Sequence, residues 1–147
     1  MSWRELTEAD VIGVMSAAEK SAYQVAVIGV GQNPMNDAIR VVANQCRGYI
    51  ADNQANSLAA GLTLPERVHM SALHLIRVEM LTRLDLEVSK DRESAKRDAI
   101  RFFERVSEGM VAIEQPEGAL DTGSPASTIE TISTNDRQAT RAKLAGL

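Results

Sequence analysis

Apolar residues recur at helical spacing along most of the chain before Pro116, and the run TLPERVHMSALHLIRVEMLTRLDLEV (63–88) is apolar nearly all round. Wound at 3.6 residues per turn, Leu75 and Leu86 fall on one side. Leu73, Met80 and Leu84 fall on the opposite side, with Val78 and Leu81 between them. A helix of that kind is buried by neighbours on several sides. Thr63 and Glu66 are spaced as a capping box, with Pro65 in the first turn, so the pattern predicts one central helix over Thr63–Val88. Its charges, Arg77, Glu79, Arg83 and Asp85, then have to reach a rim or pair at an interface.

Around this centre the pattern predicts four further helices. Thr7 caps a short first helix, with Asp10 at its third position. Ser16 and Glu19 form a second capping box nine residues later, so two short helices meet at an angle. The second runs into YQVAVIGVGQNP, where Gly29 and Gly31 read as helix stops. Asn33 and Pro34 open the third helix. Its stripe is Met35, Ile39, Val42, Cys46, Tyr49 and Ile50, opposite a weakly charged face of Asn36, Arg40, Asn44, Arg47, Asn53 and Asn56. That polar face meets solvent, a wet subunit interface or a lumen wall. Ala59, Ala60 and Gly61 break the pattern before the central helix. Ser89 or Asp91 caps a fifth helix whose apolar side is Ala95, Ala99, Phe102, Phe103, Val106 and Met110, and Gly109 ends it. Val111 to Ile113 reads as extended, leading to Pro116. The fold class is therefore all-α, a small bundle of about five helices around a central buried one.

At Pro116 the composition changes to Gly, Ser, Thr and Pro, which separates a helical domain (1–115) from a C-terminal arm (116–147). Within the arm, Ile129 and Ile132 sit in a short β-prone run. Asn135 caps a terminal helix with Ala139, Ala142 and Leu144 along one side. These five apolar residues are the candidate anchors of the arm on a partner surface. A segment this polar orders only on assembly, because ordering each residue costs about 1–2 kcal/mol of backbone entropy.

Composition narrows the function classes. A chain of 147 residues can bury a core without staples. Sixteen Lys plus Arg against twenty Asp plus Glu give a net charge of −4 and no chain-wide attraction to nucleic acid. Lys90, Arg92, Lys96, Arg97, Arg101 and Arg105 cluster on the fifth helix. They are interleaved with Asp91, Glu93, Asp98 and Glu104, a spacing that predicts a solvated, salt-bridged face. The start lacks a signal-peptide pattern and no apolar run is long enough for a membrane span, so a soluble, non-secreted protein is expected.

No catalytic pattern forms along the sequence. GVG resembles the opening of a dinucleotide fingerprint, but Pro34 stands where a third glycine belongs. Asp52, at the distance of the ribose-binding acid, lies in a helical pattern. His69 and His74 are five apart, about 140° round a helix, and do not share a face for a metal. Cys46 lies on the apolar stripe and reads as an inert buried thiol. The expectation is no enzyme, no metal and no cofactor.

The order of four blocks, LTEADVIGVMSAAE, AIRVVANQCRGYIADN, LPERVHMSALHLIRVEML and KRDAIRFFERVSEGMVAIEQPE, resembles the small helical head–tail connector (neck adaptor) proteins of tailed bacteriophages and prophages. The likeness covers roughly residues 3 to 118; the GVGQNP loop and the long arm depart from it. The resemblance implies a virion protein of the neck, assembled in the host cytoplasm. It also implies a homo-oligomeric ring, commonly of twelve copies, under the portal protein. Such a ring meets a stopper or tail terminator protein on its tail side, and DNA passes through its lumen without sequence recognition. The alternative is a small helical DNA-binding or regulatory protein that uses the basic cluster around Arg97.

Overall fold

The computed structural model describes residues 3–30 and 33–118. Its helices are α1 (Glu8–Val14), α2 (Ala17–Val30), α3 (Met35–Asp52), α4 (His69–Arg83) and α5 (Lys90–Ser107), and a 3-10 turn over Glu66–Val68 leads into α4. Among the described residues no strand forms, and the all-α expectation holds. One isolated antiparallel bridge joins Arg4 to Leu64.

α4 is the centre. Nine of its fifteen residues are buried, and it packs against α5, α3 and α1. It is also shorter than its apolar pattern predicts. The Thr63 hydroxyl does not cap it but donates to Ala60 O at 2.8 Å. Leu64 exchanges both backbone hydrogen bonds with Arg4, and Pro65 is extended, so the helix begins only at His69. At the other end Asp85 takes a positive φ of 53°. Leu86 N–H reaches Leu81 O at 2.8 Å and Asp85 N–H reaches Thr82 O at 3.2 Å. That is a Schellman closure, and it stops the helix five residues before the predicted Val88.

α5 closes in the same way on a glycine. Gly109 has φ 80°, Gly109 N–H bonds Val106 O and Met110 N–H bonds Arg105 O. Ser89 Oγ caps its start by accepting from Arg92 N–H. The closure carries Met110 out to 69% exposure, so Met110 leaves the apolar side to which its spacing assigns it. Ala99, Phe103 and Val106 are buried, and Tyr49 of α3 stacks on Phe103 with ring centroids 5.7 Å apart.

On α3 the predicted stripe is the buried one: Met35, Ile39, Val42, Cys46 and Ile50, with Tyr49 half-buried. Pro34 stands at its N-cap, and Asn33 Oδ1 just before it accepts from Met35 N–H at 3.0 Å and from the Tyr23 hydroxyl at 2.8 Å. Its polar face divides. Asn36, Arg40 and Asn44 are exposed, whereas Arg47 donates to Thr63 O at 2.7 Å and Ala59 O at 2.6 Å, so it fastens the loop into α4. Asn56 returns along that loop to Ile50 O.

Val111 to Ile113 is non-helical, as its residues predict, and it packs inward. Val111 and Ile113 are each 8% exposed and belong to the chain's own core. Trp3 Nε1 donates to Glu114 O at 2.9 Å, and the Gln115 side chain bonds Asn56 and Ser57. This extended piece closes the core beside the N-terminal segment.

Candidate interaction surfaces

Among the described residues three surfaces stand out: an apolar edge without a partner, a groove of mixed lining and a charged face. The first is the outer edge of α2. Ser16 Oγ caps this helix by accepting from Glu19 N–H. Glu19, Tyr23 and Val27 recur every four residues and hold its inner side. Glu19 accepts two bonds from Arg92 of α5 (2.7 and 2.5 Å), Tyr23 is 8% exposed, and Val27 packs on the core. The helical period puts Ser21, Val25 and Ile28 on the opposite side, where Val25 is 71% and Ile28 82% exposed. VAVIGV is therefore helical through Val30, and Gly29 lies inside the helix, not at its stop. Gly31 lies outside the described residues.

The second surface is a groove of about 600 Å³ where α3, α4 and α5 meet. Val42, Tyr49, Leu75, Val78 and Ile100 give it an apolar lining. Gln45, Asp52, Glu79, Thr82 and Lys96 add polar groups, and Glu79 is held by Arg83 at 2.8 Å. Gly48 of α3 also lines it, with nothing within 4 Å of where a Cβ would stand.

The third surface is the outer side of α5, where a shallower hollow of about 360 Å³ runs past Lys96, Arg97, Ile100 and Arg101 between Glu93 and Glu104. Among the described residues no ion pair forms within α5, contrary to the predicted salt-bridged face. Arg92 leaves that face altogether for Glu19.

Behind α2 lies a buried polar joint that charge patterning on α4 does not reveal. Arg77, 3% exposed, reaches neither rim nor solvent. It donates to Val14 O at 2.7 Å, tying α1 to α4, and to His74 Nδ1 at 3.0 Å. A guanidinium can only donate, so Nδ1 is the acceptor and the His74 proton sits on Nε2. Burial and then the charges of Arg77 and Arg92 push the His74 pKa down, and burial likewise lowers that of Arg77. Arg77 Nε and Glu19 Oε2 are buried without a partner among the described residues.

The residues weighed for chemistry are dispersed. His69 is buried and its Nε2 donates to Leu64 O at 2.8 Å, far in role from His74. Cys46 is fully buried, and burial pushes its thiol up to about 12, which matches the inert reading. Among the described residues no three His, Cys, Asp or Glu side chains converge, and no helix is long and apolar enough to cross a membrane. The five arm positions, Ile129, Ile132, Ala139, Ala142 and Leu144, lie outside the described residues. Comparisons with family models, with curated proteins and with solved structures find no match.

Proposed function

We propose that this chain is a structural virion protein: a head–tail connector subunit that assembles as a ring between the portal and the tail of a bacteriophage and extends the DNA channel. The observation that carries the reading is the outer edge of α2, with Val25 and Ile28 exposed on a helix whose other side is fastened to the core. Large apolar side chains left in water on an anchored helix are what an assembling subunit keeps for its neighbours. The order of the four sequence blocks and a net charge of −4, which lets DNA slide without being gripped, support the same reading. The role demands packing surfaces and no bond-making residues.

In this reading the arm beyond Pro116 grips the portal through Ile129, Ile132, Ala139, Ala142 and Leu144, and many copies in a ring bind with an avidity that one arm lacks. The test is the mass of the purified full chain alone and mixed with the portal protein encoded alongside it. A ring joined to portal is the expected result. Deleting Ser127 to Leu147 should leave helicity and melting temperature nearly unchanged and abolish the joining. A chain that ignores portal but binds a random 30-base-pair duplex with steep salt dependence would favour the regulatory alternative through Lys96, Arg97 and Arg101.

A further inference from the structure

The connector reading leaves open which surfaces meet between copies. We propose that the outer edge of α2 of one copy seats in the α3/α4/α5 groove of the next, with Ile28 and Val25 entering against the wall at Gly48. The contact is head-to-tail, so each copy offers an edge on one side and a groove on the other, and repetition closes a ring or extends a filament.

Four observations lead to this occupant and not to an unrelated one. The distal part of α2, Ser21–Gly29, carries no charged side chain, so it brings no like charge against Asp52, Glu79 or Lys96 of the groove, and Glu79 is already held by Arg83. Its length, about 12 Å at 1.5 Å per residue, fits the roughly 15 Å of α3 between Val42 and Asp52 that walls the groove. Gly48 sits deep inside an 18-residue helix, where glycine costs about 1 kcal/mol relative to alanine. Beyond its own helical turns, no atom among the described residues lies close enough to require it. A glycine that internal packing does not explain, in the wall of an open groove, fits the close approach of a second backbone. Gly29, beside Ile28 on α2, has the same open surroundings, so the two backbones can approach at both glycines.

A strip about 12 Å by 10 Å is much smaller than the roughly 800 Å² per partner of a standard interface. A single contact is therefore weak, and the assembly draws its strength from closure. Association has to be measured up to high concentration.

The test uses the full chain with Ile28→Glu on the edge and Gly48→Glu in the groove. Both changes are acidic, so the two altered surfaces cannot attract each other. Sedimentation velocity from about 1 μM to about 1 mM should show the wild-type mass rising with concentration. Each variant alone should stay monomeric, at least ten-fold weaker in association, with an unchanged circular dichroism spectrum. An equimolar mixture should form one-to-one dimers and nothing larger, because each mixed pair has a single intact edge-and-groove contact. Val25→Glu and Gln45→Glu repeat the pair at independent positions should either first variant fail to fold. A wild-type chain that stays monomeric throughout, a Gly48→Glu chain that associates like wild type, or a mixture that stays monomeric would each overturn the proposal. The inference rests on the connector reading for the ring, yet the two fail separately. Variants that still assemble on portal in wild-type copy number overturn the interface and leave the connector. Complementing variants whose parent ignores portal do the reverse.

Discussion

His74 sits where burial and two guanidinium groups oppose its protonation. It is wedged in the joint with Arg77 on its own helix and Arg92 on α5, and its Nδ1 already accepts a hydrogen from Arg77. Glu19 of α2 faces the same joint and is committed to Arg92. Burial first, and then the two guanidinium groups, lower the His74 pKa below its usual 6.5. The unfolded chain therefore takes up a proton below about pH 6.5 that the folded chain refuses. Its contribution to stability is fully present above that pH and is lost as pH falls from there through the depressed folded value. Urea unfolding at pH 7.5 and pH 5 should show a stability loss in the wild type. His74→Asn, which keeps an acceptor near Nδ1 but does not titrate, should flatten that slope. An equal slope in both proteins would place the acid sensitivity at another group, and Asp10 is not that group. The bond from Arg4 holds the Asp10 carboxyl down to about 2, so its contribution disappears only in stronger acid.

At the scale of the element, α4 and α5 end in the same backbone closure with different residues at the left-handed position, Asp85 in one and Gly109 in the other. Glycine adopts this conformation without a Cβ penalty, whereas aspartate tolerates it at a cost. Asp85→Gly should therefore stabilise the protein by about 0.5–1 kcal/mol, and Gly109→Ala should destabilise it by about 1 kcal/mol. A Cβ at Gly109 would also come within 3.4 Å of the Asn53 side chain. Opposite shifts of the urea midpoint at constant slope would confirm the pair; shifts in the same direction would show that loop packing, not backbone conformation, decides. The same contrast explains which boundaries the residues reveal. Gly109 announces the end of α5, and the α3 stripe and the caps at Thr7 and Ser16 are equally plain, because each is local chemistry with one reading. Asp85 announces nothing, so the apolar run through Leu84, Leu86 and Val88 reads as more helix. Thr63 and Glu66 imitate a cap, but the Thr63 hydroxyl is taken by Ala60 and the backbone of Leu64 by Arg4, a partner sixty residues away. Arg47 and Arg77 read as surface charges because backbone carbonyls, of Ala59 and Thr63 for one and of Val14 for the other, hold them, and these leave no mark in composition. The groove was hidden for a related reason. Its lining comes from three helices, and Val42, Leu75, Val78 and Ile100 look like ordinary core positions on each.

For the whole molecule, the question is why a chain whose described residues bury a core of their own leaves a groove walled by a glycine and an exposed apolar edge on α2. Leaving them has a cost within the monomer. Filling Gly48 with a methyl group would add helix propensity and meet no atom within 4 Å, so Gly48→Ala should raise monomer stability by about 0.5–1 kcal/mol. A sequence shaped only for monomer stability would have made that change. If the groove is where a neighbour's α2 backbone lies, the same methyl group stands between two helices that otherwise touch, and self-association should weaken while the monomer becomes firmer. Opposite movement of the two quantities is a signature that neither a packing role nor an idle surface would produce. Urea unfolding at low concentration and sedimentation at high concentration, on the same preparation of Gly48→Ala, measure both. A variant that is more stable and associates as strongly as wild type would mean that the glycine serves no neighbour. A variant that is less stable would mean that the helix needs Gly48 for its own packing.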